Sequence, residues 1–288
     1  MAHKLSLAWN RYGKCRIRLV KVRRPPQRDA PHDIVDLTID VQLEGDFDDV
    51  YTSGDNKTCL PTDTMKNTVY AMARREPLSD VETFAIKLAG HFAATPGVTR
   101  AAIHATQTPW SRIAVGGRPH PHAFVQAATE AWTANVTCDA GGLEVASGVM
   151  NLVVLKTTDS AFTGYSRDEY TTLAETRDRI LATSVTANWK YQRGTTDFSA
   201  RDRIHSALIE TFAAHQSESV QHTLYAMAEA AIAAAASVVE ITLTLPNRHH
   251  LLVDLSPFGL DNPNDVFVAT DEPYGLIEAT IRRDRRPA

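Results

Sequence analysis

The sequence predicts an α+β protein in which antiparallel sheets carry helices on one face. Segments that alternate apolar and polar residues open the chain, two helical segments follow them, and strand patterns then return. Strands that do not alternate one by one with helices argue against a doubly wound parallel sheet. The length of 288 residues suits one large domain or two of ordinary size.

Two strand patterns open the chain. The first is CRIRLVKV at residues 15–22, and the second, at residues 35–43, places five apolar side chains on one face. A period of two is typical of a half-buried strand. We expect the two segments to form the arms of a long hairpin.

Two helices are predicted next. Met65, Val69 and Met72 recur at a helical spacing, and residues 79–82 (SDVE) form a capping box before a helix that buries Phe84 and Leu88. Strand patterns then return at residues 98–105, 122–127 and 132–137. The first half is therefore strands, two helices, then strands.

The start of the first helix, CLPTDTMKNTVY at residues 59–70, carries a proline, a hydroxyl and a carboxylate in turn. Thr62 or Asp63 is expected to cap the helix by accepting a bond from its free amides. Asp63 also suits the positive end of the helix dipole. Pro61 is expected to stiffen the backbone before Thr62.

The second half repeats the order of the first. Strands are predicted at residues 152–155 and 185–191, helices around residues 204–212 and 220–231, and strands at residues 238–245 and 250–255. A tandem duplication explains the repeat, with domains at residues 1–140 and 141–288. Because helices cover only one face of each sheet, strand edges are left to pair with another chain, and we expect an oligomer.

Composition and charge exclude several partners. The net charge of −4 gives no general attraction to nucleic acid, and we interpret the short basic clusters at residues 21–24 and 282–286 as solvated surface. No run of about 18 apolar residues predicts a membrane span. Three cysteines without a CxxC pair and the lack of a secretion signal indicate a reducing cytoplasm.

Motifs for phosphate loops, serine hydrolases and zinc sites are missing from the sequence. His120 and His122 are therefore expected to be structural. His249 and His250 are adjacent on a predicted strand, so at most one of them is expected to line any given site. The segment PNRH at residues 246–249 ends a predicted strand, where its polar side chains can converge on a pocket.

A series of motifs along the chain resembles one family. They are YGK at residues 12–14, GDN at 54–56, TDTMKNTVY at 62–70, LKTT at 155–158, RDEYTTL at 167–173, DRILAT at 178–183, SVQ at 219–221, LPNRHH at 245–250 and DEPYGLIE at 271–278. Together, in this order, they resemble the urate oxidase (uricase) family from about residue 12 to residue 281.

The resemblance implies a fold, a reaction and an assembly. The fold is the tunnelling fold (T-fold), whose tandem domains close into a barrel on oligomerisation, here a homotetramer with active sites at subunit interfaces. The implied reaction is oxidation of urate by O2 and water to 5-hydroxyisourate and hydrogen peroxide, the first step of urate degradation to allantoin. It uses neither a metal nor an organic cofactor.

The resemblance also assigns residues that bind substrate. Arg179 and Gln221 would grip the edge of urate, since a guanidinium fork suits an anionic carbonyl edge and a side-chain amide offers both a donor and an acceptor. Phe162 would stack under the ring, although an aromatic residue of this kind would otherwise be expected in the core. Val220 would contribute its backbone, and Asn247 would hold O2 or water above the ring.

A proton relay is the last element that the resemblance implies. Thr62 and Asp63 would reach the site from a neighbouring subunit, Asp63 through its backbone amide. Lys14, Thr62 and His249 would pass protons. A lysine acts as a base only when burial or positive charge depresses its pKa, and Arg179 could supply that charge.

Three alternatives remain open at this point. The chain could be another T-fold enzyme that acts on a purine or pterin, or a purine-binding protein without catalysis. A metal-dependent hydrolase using His120, His122 and His249 is the third alternative. The segment at residues 107–121 is expected to be a loop, and residues after 281 carry no feature that predicts a role.

Overall fold

The computed structural model describes residues 5–27, 30–126 and 129–284, with only the backbone at position 271. The chain divides into two compact units. The first comprises Met1–Gly148 with Lys190–Phe198, and the second comprises Val149–Trp189 with Ser199–Ala288. Both contain antiparallel strands and helices, so the predicted α+β class is confirmed. The domain division at residues 140 and 141 stays a prediction.

The first unit contains most of the elements before residue 149. They are β1 (Tyr12–Arg23), β2 (Asp33–Gly45), α1 (Asp48–Thr52), α2 (Thr62–Arg75), α3 (Val81–Ala93), β3 (Val98–Thr108), β4 (Ser111–Val115), β5 (Arg118–Val125), β6 (Ala131–Asp139) and the start of β7 (Gly142–Lys156). The sheet runs in the order β1-β2-β3-β6-β7, and β4 pairs with β5 separately.

The predicted opening hairpin is confirmed, because β1 and β2 pair antiparallel. Apolar side chains of β2 alternate into the core, where Leu37, Ile39 and Val41 are buried. Helix α3 packs on β3 and β6 and buries Phe84 and Leu88, as expected. Burial of each such side chain stabilises the fold by about 1.5–3 kcal/mol.

The segment at residues 107–121 is not a loop, contrary to expectation. It contains β4 and the start of β5, which pair antiparallel. Gly116 and Gly117 join them at φ 58° and 76°, a left-handed turn conformation that favours glycine. Strand β5 covers most of the strand predicted at residues 122–127, whose last residue, Ala127, lies outside the described residues.

Both predicted helix caps in the first unit are wrong in detail. Asp80, not Ser79, caps α3 by accepting a hydrogen bond from the Thr83 amide at 2.6 Å. The carboxylate of Glu82 is buried and accepts a bond from the Ser147 hydroxyl. At α2 the capping position is held by Pro61, which makes no side-chain cap bond.

The second unit contains the remaining elements. They are the end of β7, β8 (Leu181–Tyr191, whose last two residues belong to the first unit), α4 (Arg201–Ala214), α5 (Val220–Ala234), β9 (Val238–Leu252), a short 3-10 turn (Ser256–Phe258) and β10 (Phe267–Arg282). The sheet order is β7-β8-β9-β10. Helices α4 and α5 pack together, and α5 covers β9 and β10.

The strand predicted at residues 238–245 is confirmed, but it does not end there. It continues as one strand, β9, to Leu252, because Pro246 keeps the extended backbone and pairs in register with Leu276, so the separate strand expected at residues 250–255 is wrong. Strand β10 was not predicted, since Pro273 and Gly275 within it are typical of a turn. The register between β9 and β10 shifts between Thr270 and Gly275.

The basic clusters are more structured than expected. Lys21 donates to the Ala73 carbonyl at 2.7 Å, at the C-terminal end of α2. Arg282 pairs with Glu240, and Arg283 donates to the Ile232 carbonyl at 2.7 Å. Arg282 and Arg283 are nevertheless exposed, as are Arg23 and Arg24, so the surface interpretation is confirmed for them, whereas Lys21 is half-buried. The tail beyond residue 284 lies outside the described residues. Within the described ranges, no helix is long and apolar enough to cross a membrane.

Candidate active site

The second unit contains a cavity of about 640 Å³. Six of the predicted site residues line it: Phe162, Arg179, Val220, Gln221, Asn247 and His249. They come from three separate stretches of chain, namely the loops before β8, the start of α5 and strand β9. A concave surface with a few convergent polar groups is typical of a small-molecule site.

Backbone hydrogen bonds hold the loop residues of the cavity in place. The Phe162 amide donates to the Thr176 carbonyl at 2.8 Å, and the Thr176 amide donates back at 3.2 Å. This pairing brings the Arg179 guanidinium to 5.3 Å from the centroid of the Phe162 ring. Arginine and an aromatic ring therefore stand together at the cavity wall.

The Phe162 ring is supported by a second aromatic ring. Tyr165 stacks on it with centroids 4.8 Å apart and an interplanar angle of 14°. The Tyr165 hydroxyl donates to the Leu173 carbonyl at 2.6 Å, which fixes the supporting ring. Phe162 lines the cavity and is half-buried, whereas Tyr165 does not line it, so Phe162 is a wall residue and not a core aromatic.

Arg179 carries a desolvated charge without a protein counter-ion. Burial lowers the pKa of its guanidinium, which still stays protonated at neutral pH. Its Nε is buried and has no hydrogen-bond partner. Among the described residues none forms an ion pair with it, and the neighbouring Asp178 carboxylate accepts the Thr158 hydroxyl at 3.0 Å instead. An anion in the cavity would satisfy this charge.

The start of α5 faces the same cavity. Ser219 caps the helix by accepting the His222 amide at 3.1 Å, so Val220 and Gln221 occupy the first turn. The first amides of a helix have no partner within it and attract negative charge. The Ala161 amide donates to the Ser217 carbonyl at 2.7 Å, which ties this helix start to the Phe162 segment.

Strand β9 contributes consecutive residues to the cavity. Asn247 and His249 line it, and so does His250, so the prediction that only one of the adjacent histidines lines a site is wrong. Strict alternation fails here because the pairing with β10 changes register next to these residues. Thr157, Asp178 and Arg248 also line the cavity and were not predicted. All three lie inside the motifs LKTT, DRILAT and LPNRHH, which could have indicated them.

The other three predicted residues, Lys14, Thr62 and Asp63, lie in the first unit. Lys14 is half-buried on β1, and Thr62 and Asp63 open α2. The Tyr12 hydroxyl accepts the Leu60 amide at 2.8 Å, so the start of β1 is bound to the segment that leads into α2. Burial, with a smaller contribution from Cys59, raises the pKa of Tyr12 to about 12.

The Asp63 side chain is held along its own helix. Its carboxylate pairs with Lys66 and accepts from the Asn67 amide nitrogen at 2.9 Å. The hydrogen bond from Lys66 and its charge lower the pKa of Asp63, and the charge of Lys14 contributes in the same direction. This carboxylate therefore does not cap α2, and the capping interpretation is wrong for it.

The remaining histidine candidates lie on β5 in the first unit. The rings of His120 and His122 are 4.5 Å apart between centroids, and the His122 amide contacts His120 Nδ1 at 3.4 Å. Across residues 5–27, 30–126 and 129–284, no three His, Cys, Asp or Glu side chains are grouped so that they could hold a metal ion.

Comparison with known proteins identifies relatives along nearly the whole chain. The sequence profile of the uricase family matches residues 10–137 and 145–278. A uricase from Arthrobacter globiformis is 46% identical over 285 residues, covering 98% of this chain and 91% of the relative. A uricase from Aspergillus flavus is 35% identical and covers 95% of each chain. The crystal structure of the Arthrobacter globiformis uricase superposes with a TM-score of 0.92 at 44% identity, covering 99% of this chain and 98% of the other.

Proposed function

The chain belongs to the uricase family, and from this premise we propose that it oxidises urate with O2 and water to 5-hydroxyisourate and hydrogen peroxide, without a cofactor. One observation carries the assignment of the second-unit cavity as the urate site. The half-buried Arg179 has a buried, unpartnered Nε and stands beside the Phe162 ring and the Gln221 helix start. A flat anion with polar edges satisfies all three features.

Substrate binding uses the cavity wall. The Phe162 ring, backed by Tyr165, offers a flat surface for the purine, and such stacking contributes about 1–3 kcal/mol. Arg179 meets the anionic edge of urate, and the Gln221 side-chain amide pairs with a neighbouring edge. The Val220 amide, at the free end of α5, donates to a urate carbonyl.

Proton management is assigned to Lys14, Thr62 and His249. A base that removes a proton from bound urate makes the ring electron-rich enough to give two electrons to O2, which becomes hydrogen peroxide. Water then adds its oxygen to the oxidised ring, which gives 5-hydroxyisourate. Asn247 holds O2 and later water above the ring. The protein contributes position and proton transfer, which together are worth several orders of magnitude in rate.

The proposal includes an assembly in which two copies of the chain complete each site. Lys14, Thr62 and Asp63 belong to the first unit, whereas every residue that lines the cavity belongs to the second. We assign the first-unit residues to the site of a neighbouring copy in a homotetramer. The cytoplasmic location stays a prediction.

A direct assay tests this proposal. Chelator-treated protein is mixed with urate and O2, while urate absorbance, O2 uptake and peroxide are followed together. We expect coupled one-to-one consumption of urate and O2 in the wild type and loss of consumption in Lys14→Ala and Thr62→Ala. Lys57→Ala is the matched control, since this exposed lysine pairs with Asp55 alone and should leave turnover unchanged.

The outcomes separate the enzyme from its alternatives. Urate that binds without consumption of either reactant would show a purine-binding protein, and the relay assignment would be wrong. Turnover lost on chelation and restored by a metal would contradict the cofactor-free reaction.

A further inference from the structure

Strand β1 is irregular directly after Lys14. Lys14 pairs with Val41 and Ile17 pairs with Ile39, so Cys15 and Arg16 together face a single residue of β2, Asp40. Two residues opposite one is a β-bulge, and bulges next to active sites redirect side chains. The sequence pattern of alternating residues did not predict it.

The bulge has an unusual backbone conformation. Arg16 adopts φ 57°, the left-handed region, which costs free energy for any residue with a Cβ atom. Cys15 and Arg16 are both exposed, whereas Ile17 and Leu19 beyond them alternate into the core. An exposed arginine has no packing of its own that would compensate for this conformation, so another contact must hold it.

Asp40 supplies that contact. Its Oδ1 accepts a hydrogen bond from the Arg16 backbone amide at 2.6 Å, across the strand pair and at the bulged position. The neighbouring side chain on β3, His104, is engaged elsewhere, with Asn135 at 2.6 Å and Thr106 at 3.3 Å. A charged acceptor on a backbone amide is about twice as strong as a neutral one.

Glycine fixes the strand on the other side of Lys14. A Cβ atom at Gly13 would lie 2.0 Å from the Val41 carbonyl oxygen, so only glycine allows β1 to approach β2 this closely. Lys14 thus stands between a close strand contact and a bulge, and both restrict the direction of its side chain.

We propose that Asp40 is a positioning residue for Lys14: by holding the bulge at Cys15 and Arg16, its carboxylate sets the direction in which the lysine leaves the strand. The inference rests on the proposed function, in which Lys14 is the base. Asp40 has no assigned contact with urate, so it acts through the backbone alone. A base displaced by about 1 Å can lose up to about a hundredfold in rate.

Asp40→Ala tests the inference. We expect kcat for urate to fall about tenfold to a hundredfold with KM changed less than about twofold, because the residues assigned to substrate binding are untouched. Adding Arg16→Gly should restore most of kcat, since glycine adopts φ 57° without the carboxylate. Asp36→Ala is the matched control. Like Asp40, Asp36 is a β2 carboxylate that contacts β1, but its partner is the Arg18 side chain, away from the bulge. Asp36→Ala should therefore lower the free energy of unfolding and leave kcat unchanged.

Several results would contradict the positioning role or the proposed function. Asp40→Ala with wild-type kcat, or a fall in kcat that Arg16→Gly does not reverse, would overturn the positioning role. A wild-type protein that does not consume urate would overturn the proposed function instead. Hydrogen exchange at the Arg16 amide is independent of activity. It should accelerate in Asp40→Ala, and unchanged exchange would show that Asp40 does not hold the bulge.

Discussion

The two units present their proposed site residues in different ways. In the second unit, Phe162, Arg179 and Gln221 line one cavity and are held there by backbone pairing and by a helix cap. In the first unit, Lys14 lies on the bulged strand β1, and Thr62 is the first residue of α2. The residues of the second unit share one cavity wall, whereas those of the first unit lie near the start of a strand and at the start of a helix.

The difference indicates that the two units have different roles in the proposed reaction. A cavity with a desolvated, unpaired guanidinium is suited to hold a ligand, because the ligand supplies the missing counter-charge. Residues on a strand and a helix start can reach a ligand that another surface holds. Substitutions in the second unit should therefore change binding first, and substitutions in the first unit should change turnover first.

The largest effect is expected at Arg179. Arg179→Gln removes the half-buried charge, and we expect KM for urate to rise by at least about a hundredfold, because a charged bidentate contact is lost. Arg177→Gln, two residues earlier on the same loop and exposed, should leave KM within about twofold. Steady-state kinetics on both variants test this prediction. An equal rise in KM in both would contradict the assignment of Arg179 to urate binding.

Helix caps give a smaller and more selective test. Ser219→Ala and Asp80→Ala each remove one cap bond and should each lower the free energy of unfolding by about 1 kcal/mol. Only Ser219 holds the helix start that presents Gln221, so only Ser219→Ala should raise KM, by a few-fold. Thermal melts and kinetics on both proteins check this, and equal KM values would count against a role for the α5 start.

The smallest effect concerns Tyr12 and alkaline pH. An unfolded tyrosine loses its proton near pH 10.0, whereas folded Tyr12 keeps its proton until about pH 12. The folded state therefore binds more protons in this window, and stability falls as pH rises through it. Tyr12→Phe should flatten the decline of Tm between these pH values. At neutral pH the same change should lower the free energy of unfolding by about 1 kcal/mol, because the Leu60 amide loses its acceptor. A decline with the same slope in both proteins would contradict the shift.

Some of this arrangement could be predicted from the sequence. Alternation of Leu37, Ile39 and Val41 predicted β2 correctly, since a period of two directly reports a face that is buried. Six predicted residues line the cavity, but they were found through family motifs and not through periodicity. Their approach depends on loop pairing between Phe162 and Thr176, which no local pattern encodes.

Other features lie beyond sequence patterns for physical reasons. At the bulge, the Arg16 amide donates to the Asp40 carboxylate of another strand, which is a tertiary contact. Asp63 fits the composition of a cap, yet its carboxylate turns to Lys66 and Asn67 instead. Strand β10 contains Pro273 and Gly275, which are typical of a turn. Pro273 lies in the register shift after Thr270, and pairing with β9 resumes at Gly275.

Subunit complementation tests the central claim most directly. Arg179→Ala and Thr62→Ala are each expected to be nearly inactive. Co-expressed in equal amounts, the two variants should form hybrid assemblies in which about a quarter of the sites combine an intact Arg179 from one copy with an intact Thr62 from another. The account predicts recovery of urate oxidation to about a quarter of the wild-type rate. A co-expressed preparation no more active than either variant alone would show that the two groups do not combine between copies.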